Sequence, residues 1–305
     1  MEDTRIGLAL GGGGARGFAH IGVLQVLHEA GYAIDTIAGT SMGAVVGAMY
    51  AETLDPYEVE NRFLEFLESD AYEHTGIPRI NAKEEQDASF WDQITSEIRG
   101  RLAVNLARSR KSLIKSERLK NAINTLLNIE DFSECQIPIT ILATDILNGE
   151  DVPISTGDLR QAVEASSSIP GFIAPIDYDG HLLSDGGISC PVPIKYARQS
   201  TDRVVIGVAV PPPIRSGTGL DNAIEIMTRA EQITSHYYSI SQMNDADVKI
   251  YPDAEMIQWN DFTRMPEVVA AGRKAAEAAL PVLESVLWQR KPWWRRIWQR
   301  FIGKL

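Results

Sequence analysis

Two glycine-framed turns hold the residues of this 305-residue chain with the most scope for chemistry. The first is GGGGARG, Gly11 to Gly17, directly after the apolar run Ile6–Leu10 and ahead of Phe18, Ile21, Leu24 and Leu27 at helical spacing. Glycines placed there free backbone N–H groups to point at an anion near a helix N-terminus. Two anions fit. One is the pyrophosphate of a dinucleotide, since Gly12-x-Gly14-x-x-Gly17 has the fingerprint spacing and Asp35 follows where a ribose-binding carboxylate would stand. The other is the oxyanion of an acyl transfer. The second turn is GTSMG, Gly39 to Gly43, between the apolar stretch Ile34–Ala38 and the small-residue stretch Ala44–Ala51. G-x-S-x-G between a strand and a helix is the context of a nucleophile elbow, a sharp turn that exposes the serine Oγ. Only one βα unit separates the two turns. They would therefore lie side by side at the carboxyl edge of a parallel sheet, with the loop amides facing the carbonyl that Ser41 attacks.

A serine nucleophile needs a base. The histidines are His20, His28, His74, His181 and His236. His236 alone comes late enough for the order Ser…Asp…His, but it sits inside a helical pattern with no glycine turn to present it. Asp185, followed by Gly186 and Gly187 after the apolar pair Leu182-Leu183, is the competing candidate. An Asp before two glycines is either a plain turn or a carboxylate held at a strand end. Asp145, in LATDILNG, reads as a structural carboxylate at the end of a buried strand.

The elements that must position these groups alternate as strand, glycine turn, helix, twice over, which is the rhythm of a parallel α/β sheet covered by helices. Residues 55–128 are more polar and read as a helical insertion or lid. Strands are expected again at 137–146, 152–155 and 202–210, and long helices at 221–242 and 265–288. A net charge of −12 argues against nucleic acid as the main partner. Cys135 and Cys190 make neither a disulfide framework nor a metal cluster, and suit reduced cysteines of a cytoplasmic protein. The first residues form no secretory leader, and no apolar run approaches the roughly 20 residues that span a bilayer.

Residues 290–305 differ in character from the acidic body. They contain six Lys or Arg and no acid. On a helix after Pro292, Trp294, Ile297, Trp298, Phe301, Ile302 and Leu305 share a face, while Arg295, Arg296, Arg300 and Lys304 take the other and Trp293 flanks them. A basic amphipathic helix rich in tryptophan is built for the interface of an anionic membrane. The alternative is docking on the acidic body or on a partner subunit.

In their order, GGGGARG (11–17), GTSMG (39–43) and DGG (185–187) resemble the motifs of the patatin-like phospholipase family of bacterial type. ASSSIPGFIAP (165–175) is similar to the family's segment ahead of its D-G-G motif, and the resemblance runs from residue 5 to about residue 210. Gly11 stands where some members carry an acidic residue. The resemblance implies a parallel-sheet, three-layer α/β/α patatin-like fold over residues 1–289; residues 55–128 and the basic helix 290–305 carry no family motif, and their readings as an insertion or lid and as a membrane-interface helix rest on their own sequence patterns. It implies a Ser41–Asp185 dyad in place of a triad, and an oxyanion hole from Gly12, Gly13 and Gly14. Arg16 would stand behind the loop, either holding it or neutralising a substrate phosphate. No metal and no cofactor are implied. The expected substrate is a phospholipid, lysophospholipid or related ester, met at the inner face of a membrane. A membrane-associated regulatory or scaffold protein with the same fold and weak catalysis is the alternative, and a nucleotide-binding oxidoreductase a third.

Overall fold

A computed structural model of the chain describes residues 5–75, 115–199, 204–214 and 223–290. The expected C-terminal helix and much of the 55–128 region fall outside those residues.

The most apolar stretches form the sheet. Its strands are β1 (Ile6–Leu10), β2 (Ile34–Thr40), β3 (Ile139–Asp145), β4 (Glu150–Ile154), β5 (Ile176–Tyr178), β6 (His181–Asp185), β7 (Val204–Val208) and β8 (Val248–Ile250). They are ordered β5-β6-β3-β2-β1-β7-β8, with β4 also paired to β3. The helices are α1 (Ala19–Glu29), α2 (Met42–Thr53), α3 (Pro56–Leu67), α4 (Asp70–Thr75), α5 (Ser116–Leu126), α6 (Leu159–Ser166), α7 (Ile194–Gln199), α8 (Ala223–Gln242) and α9 (Met265–Arg290).

Strand side chains alternate between two faces, and the core divides accordingly. Leu8, Leu10, Ile37, Ile141 and Ile206 join the larger core with residues of α1, α2, α6 and α9. Ala9, Ala38, Leu142 and Val205 point the other way, into a smaller cluster with Ile194, Ala197 and Met243. Helices thus cover both faces, as the three-layer expectation requires.

The sheet is not wholly parallel. β8, β7, β1, β2 and β3 run parallel, whereas β4 and β6 pair antiparallel with β3, and β5 with β6. The cause is loop length. Residues 146–149 are too few for a crossover, so the chain after β3 can only turn back as a hairpin. β3 has two edges, and β4 occupies one of them along residues 141–145. β2, opposite residues 139–142, and β6, opposite 143–145, must therefore share the other. Thr40 pairs with Leu142 and Asp185 with Ala143, so β2 leaves that edge where Asp185 begins to occupy it.

The described part of the 55–128 region is helical and belongs to the main core. α3 starts at Asp55, whose carboxylate accepts from Tyr57 N–H and Glu58 N–H, with Pro56 at the first helical position. Its Phe63 packs edge-on against Phe18 at a centroid distance of 5.1 Å. Among the described residues no helix is long and apolar enough to cross a membrane.

Candidate active site

β2 ends at Thr40 and α2 begins at Met42, so Ser41 alone makes the turn. Its φ of 53° and ψ of −122° lie where non-glycine residues seldom sit, a strain of order 1–3 kcal/mol that the surroundings must hold in place. They do so through both backbone groups. The Ser41 carbonyl accepts from Ala44 N–H at 2.8 Å and Val45 N–H at 3.1 Å, which begins α2. The Ser41 N–H donates to Ser166 Oγ at 2.9 Å, and that hydroxyl donates onward to the Leu142 carbonyl at 2.5 Å. Gly43 is required by close approach: a Cβ there would stand 2.2 Å from the Leu10 carbonyl oxygen.

The edge handover on β3 brings Asp185 to Ser41. Ser41 Oγ donates to Asp185 Oδ2 at 2.7 Å, and Gly187 N–H donates to Asp185 Oδ1, also at 2.7 Å. The Asp185 backbone is fixed as well, its N–H donating to the Ser168 carbonyl and its carbonyl accepting from Thr144 Oγ1, both at 3.0 Å. Burial pushes the Asp185 carboxyl up to about 6 from an ordinary 3.8; the Ser41 and Gly187 donors oppose the rise, and Glu231 adds to it. At neutral pH the group is therefore ionised, and it is a stronger base than a free aspartate.

The glycine loop lies against the elbow, with the Cβ position of Gly12 only 3.3 Å from Ser41 Cβ. Its backbone is largely committed. Gly11 N–H donates to Val208 O and Gly12 N–H to Pro191 O, both at 3.0 Å, and Ala15 N–H to Trp259 O at 2.6 Å. The Gly12 amide, expected as an oxyanion donor, is thus engaged in holding the loop to Pro191. Among the described residues, the amides of Gly13 and Gly14 have no acceptor. Gly14 has a φ of 57° and presses on Trp259, whose carbonyl oxygen a Cβ would approach to 2.3 Å. Arg16 is buried in the 3₁₀ turn Gly14–Phe18 behind the loop. His20 is fully buried and donates to the Gly11 carbonyl at 2.7 Å; desolvation lowers its pKa to about 4, so it is neutral.

The remaining candidates are employed elsewhere. His236 lies on α8 with Nδ1 bonded to the Pro212 carbonyl at 2.9 Å, and it makes no hydrogen bond to Ser41 or Asp185. Asp145 accepts from His181 Nδ1 and Asn148 Nδ2 at 2.8 Å and from Leu147 N–H at 2.9 Å, tying the β3–β4 turn together. Those donors, His181 first, hold its carboxyl below the usual range. Asp35 lies near the amino end of β2, 3.8 Å from Arg5. A carboxylate for the ribose of a nucleotide on the glycine loop would have to stand at the other end of that strand. Among the described residues no group of His, Cys, Asp and Glu is arranged to hold a metal.

The patatin-like phospholipase family model matches residues 8–198. The chain belongs to the patatin-like phospholipase family. An uncharacterized NTE family protein of Mycobacterium tuberculosis (strain H37Rv) is 38% identical over 193 residues, which are 63% of this chain and 45% of that protein. A second NTE family protein of the same strain is 30% identical across 92% of this chain and 47% of its own length. The patatin-like phospholipase domain-containing protein 6 of Mus musculus is 28% identical over 85% of this chain and 17% of that protein. The chain spans less than half the length of these relatives.

The loop, the elbow and the D-G-G turn, separate in sequence, meet at one edge of the sheet. The roles of Ser166 and Ser168 were not legible beforehand. Their signal is the run of three serines in ASSSIPGFIAP, and its use appears only in the fold: Ser166 accepts from the amide of Ser41, and the Ser168 carbonyl from that of Asp185.

Proposed function

We propose that this protein is a serine acyl hydrolase of lipid esters, of phospholipase A, lysophospholipase or esterase type, working through a Ser41–Asp185 dyad. The observation that carries the reading is the 2.7 Å hydrogen bond from the strained elbow serine to a buried carboxylate. As Ser41 Oγ attacks the ester carbonyl, its proton passes to Asp185 Oδ2. The negative charge on the carbonyl oxygen is met by the Gly13 and Gly14 amides and by the N-terminus of α2, which begins beside Ser41; one such donor is typically worth ~10²–10³ in rate. When the tetrahedral intermediate collapses, Asp185 returns the proton to the departing alcohol. It then takes a proton from the water that attacks the acyl-enzyme, and returns it to Ser41 Oγ as the carboxylic acid departs. Gly187 N–H holds Oδ1 throughout, which leaves Oδ2 for the transfer. Arg16 supports the loop from behind.

On this reading residues 291–305 attach the enzyme to the anionic inner face of a membrane, where phospholipid or lysophospholipid is supplied; the support for this is their sequence pattern.

The test is covalent labelling by a fluorophosphonate, with Ser41→Ala as the control. Labelling that vanishes in the variant supports an activated serine. Folded wild type that stays unlabelled, with and without vesicles, removes the proposal.

A further inference from the structure

Residues 186–193, between β6 and α7, form a strap that touches all three motifs of the site. It continues from Asp185 itself, whose Oδ1 is held by Gly187 N–H. The Cys190 carbonyl accepts from Thr40 Oγ1 at 2.9 Å, next to Ser41. The Pro191 carbonyl accepts from Gly12 N–H at 3.0 Å. This last bond commits the Gly12 amide to the strap and leaves those of Gly13 and Gly14.

The Pro191 carbonyl is aimed from another element. A trans peptide is planar, so the carbonyl of Pro191 and the N–H of Val192 point in opposite directions from one rigid unit. Gln242, the last residue of α8, takes that N–H on Oε1 at 2.8 Å. The Pro191–Val192 peptide is therefore held from both sides, by Gly12 through its carbonyl and by Gln242 through its N–H. The same carboxamide donates through Nε2 to Cys190 Sγ at 3.6 Å, so it grips the residues before and after Pro191. Pro191 has no N–H of its own with which to fix the strap. The grip has a firm base, because Met243, directly after Gln242, is buried in the smaller core with Cys190 and Val192. Gln242 belongs to none of the three motifs and stands beyond residue 198, where the family match ends.

We propose that Gln242 is a positioning residue for the oxyanion site, acting through the Pro191–Val192 peptide on Gly12 and hence on the aim of the Gly13 and Gly14 amides. The proposal rests on the hydrolase reading above and deepens it. The oxyanion exists only while the ester carbonyl is under attack. An error in the aim of the loop is therefore felt in kcat and little in KM. Misplacing a reacting geometry by about 1 Å can cost ~10²-fold.

The experiment uses the full chain with p-nitrophenyl butyrate, comparing wild type with Gln242→Met, Gln242→Ala, Gln242→Glu and Tyr238→Phe. Methionine keeps the length of glutamine and alanine removes it, and both deprive the Val192 N–H of its carboxamide acceptor; glutamate keeps an oxygen for it. Tyr238 lies one turn before Gln242 on α8 and donates to the Ser189 carbonyl at 2.9 Å. Its hydroxyl thus ties the same helix to the same strap without touching the Pro191–Val192 peptide. Urea unfolding confirms that each variant is folded. Gln242→Met and Gln242→Ala should lower kcat by roughly 10–100-fold at nearly constant KM, and slow fluorophosphonate labelling of Ser41 alike. Gln242→Glu should recover most of that loss, and Tyr238→Phe should cost little. Hydrogen exchange of the Gly12 amide, followed by NMR, should quicken in the methionine and alanine variants and stay unchanged in Tyr238→Phe. An unchanged kcat in those two variants overturns the proposal. So does an equal loss in Tyr238→Phe, which would make helix docking the cause, or a glutamate variant as impaired as the methionine one. If wild type is neither active nor labelled, the hydrolase reading fails, and Gly12 exchange alone then decides whether Gln242 holds the loop.

Discussion

Asp185→Asn separates the catalytic demand on this site from its cost to the fold. The Asp185 carboxyl lies at about 6 in the folded protein against an ordinary 3.8, because burial disfavours its charge. A folded-state pKa above the unfolded value means that the native state binds more protons, so stability is full below pH 3.8 and falls as pH rises through about 6. The full gap corresponds to ~3 kcal/mol, charged against the native protein at neutral and alkaline pH. Asparagine keeps the shape, and its Oδ1 can still accept from Gly187 N–H, but it carries no charge to desolvate. The variant should therefore lose roughly 10²–10⁴-fold in turnover, the usual worth of a general base, and yet be more stable than wild type by up to ~3 kcal/mol near pH 8. That advantage should shrink toward zero by about pH 4, and urea denaturation across pH measures it. His20 titrates over the same range with the opposite sign. Its pKa falls from 6.5 to about 4 on folding, so its contribution is present above 6.5 and is lost as pH falls through 4. The wild-type curve alone therefore shows the two effects partly cancelled, whereas the difference between wild type and variant removes the histidine common to both. A difference that does not change with pH, or one that favours wild type at pH near 8, would falsify the account of Asp185 as a desolvated base.

Further outcomes follow from the same geometry. The acid limb of kcat/KM should report one ionisation near 6, that of Asp185, and should survive His236→Ala unaltered; a dead but folded His236 variant would restore a triad. Ser166→Ala strands the Ser41 N–H and the Leu142 carbonyl in the interior, at about 1–3 kcal/mol for each unpaired group. It should lower kcat with little change in KM, and Ser166→Thr, which keeps the hydroxyl, should recover part of the loss. Deleting residues 291–305 should release the protein from anionic vesicles while leaving hydrolysis of a soluble ester intact, and unchanged vesicle binding would refute the role given to the tail.

What was legible in the sequence was local. Four glycines after a buried strand, a serine between two glycines at a strand–helix junction and an aspartate before two glycines each announce a turn through the residues that make it. The rest depends on contacts far along the chain. Whether Gly12 has a free amide is decided by Pro191, which lies 179 residues later and shares no local pattern with it. The three-residue strands β5 and β8 are too short to carry a period, and the antiparallel edge follows from the length of the 146–149 turn more than from any propensity. Asp185 itself shows the limit most clearly. Read alone, the D-G-G sequence it opens is equally that of an ordinary turn. Its place beside Ser41 comes from β3, one of whose edges is shared end to end by β2 and β6, so that Thr40 and Asp185 occupy adjoining places.

In the proposed mechanism, that shared edge lets a carboxylate do what a histidine does in a triad. A base on a mobile loop must be oriented by a third residue. Asp185 is instead the last residue of a strand, with its amide on Ser168, its carbonyl on Thr144 and one carboxylate oxygen on Gly187. Only Oδ2 is left to meet Ser41. The orientation is supplied by the sheet, and the basicity by burial. Both come from the fold, so the proposed dyad needs no third side chain.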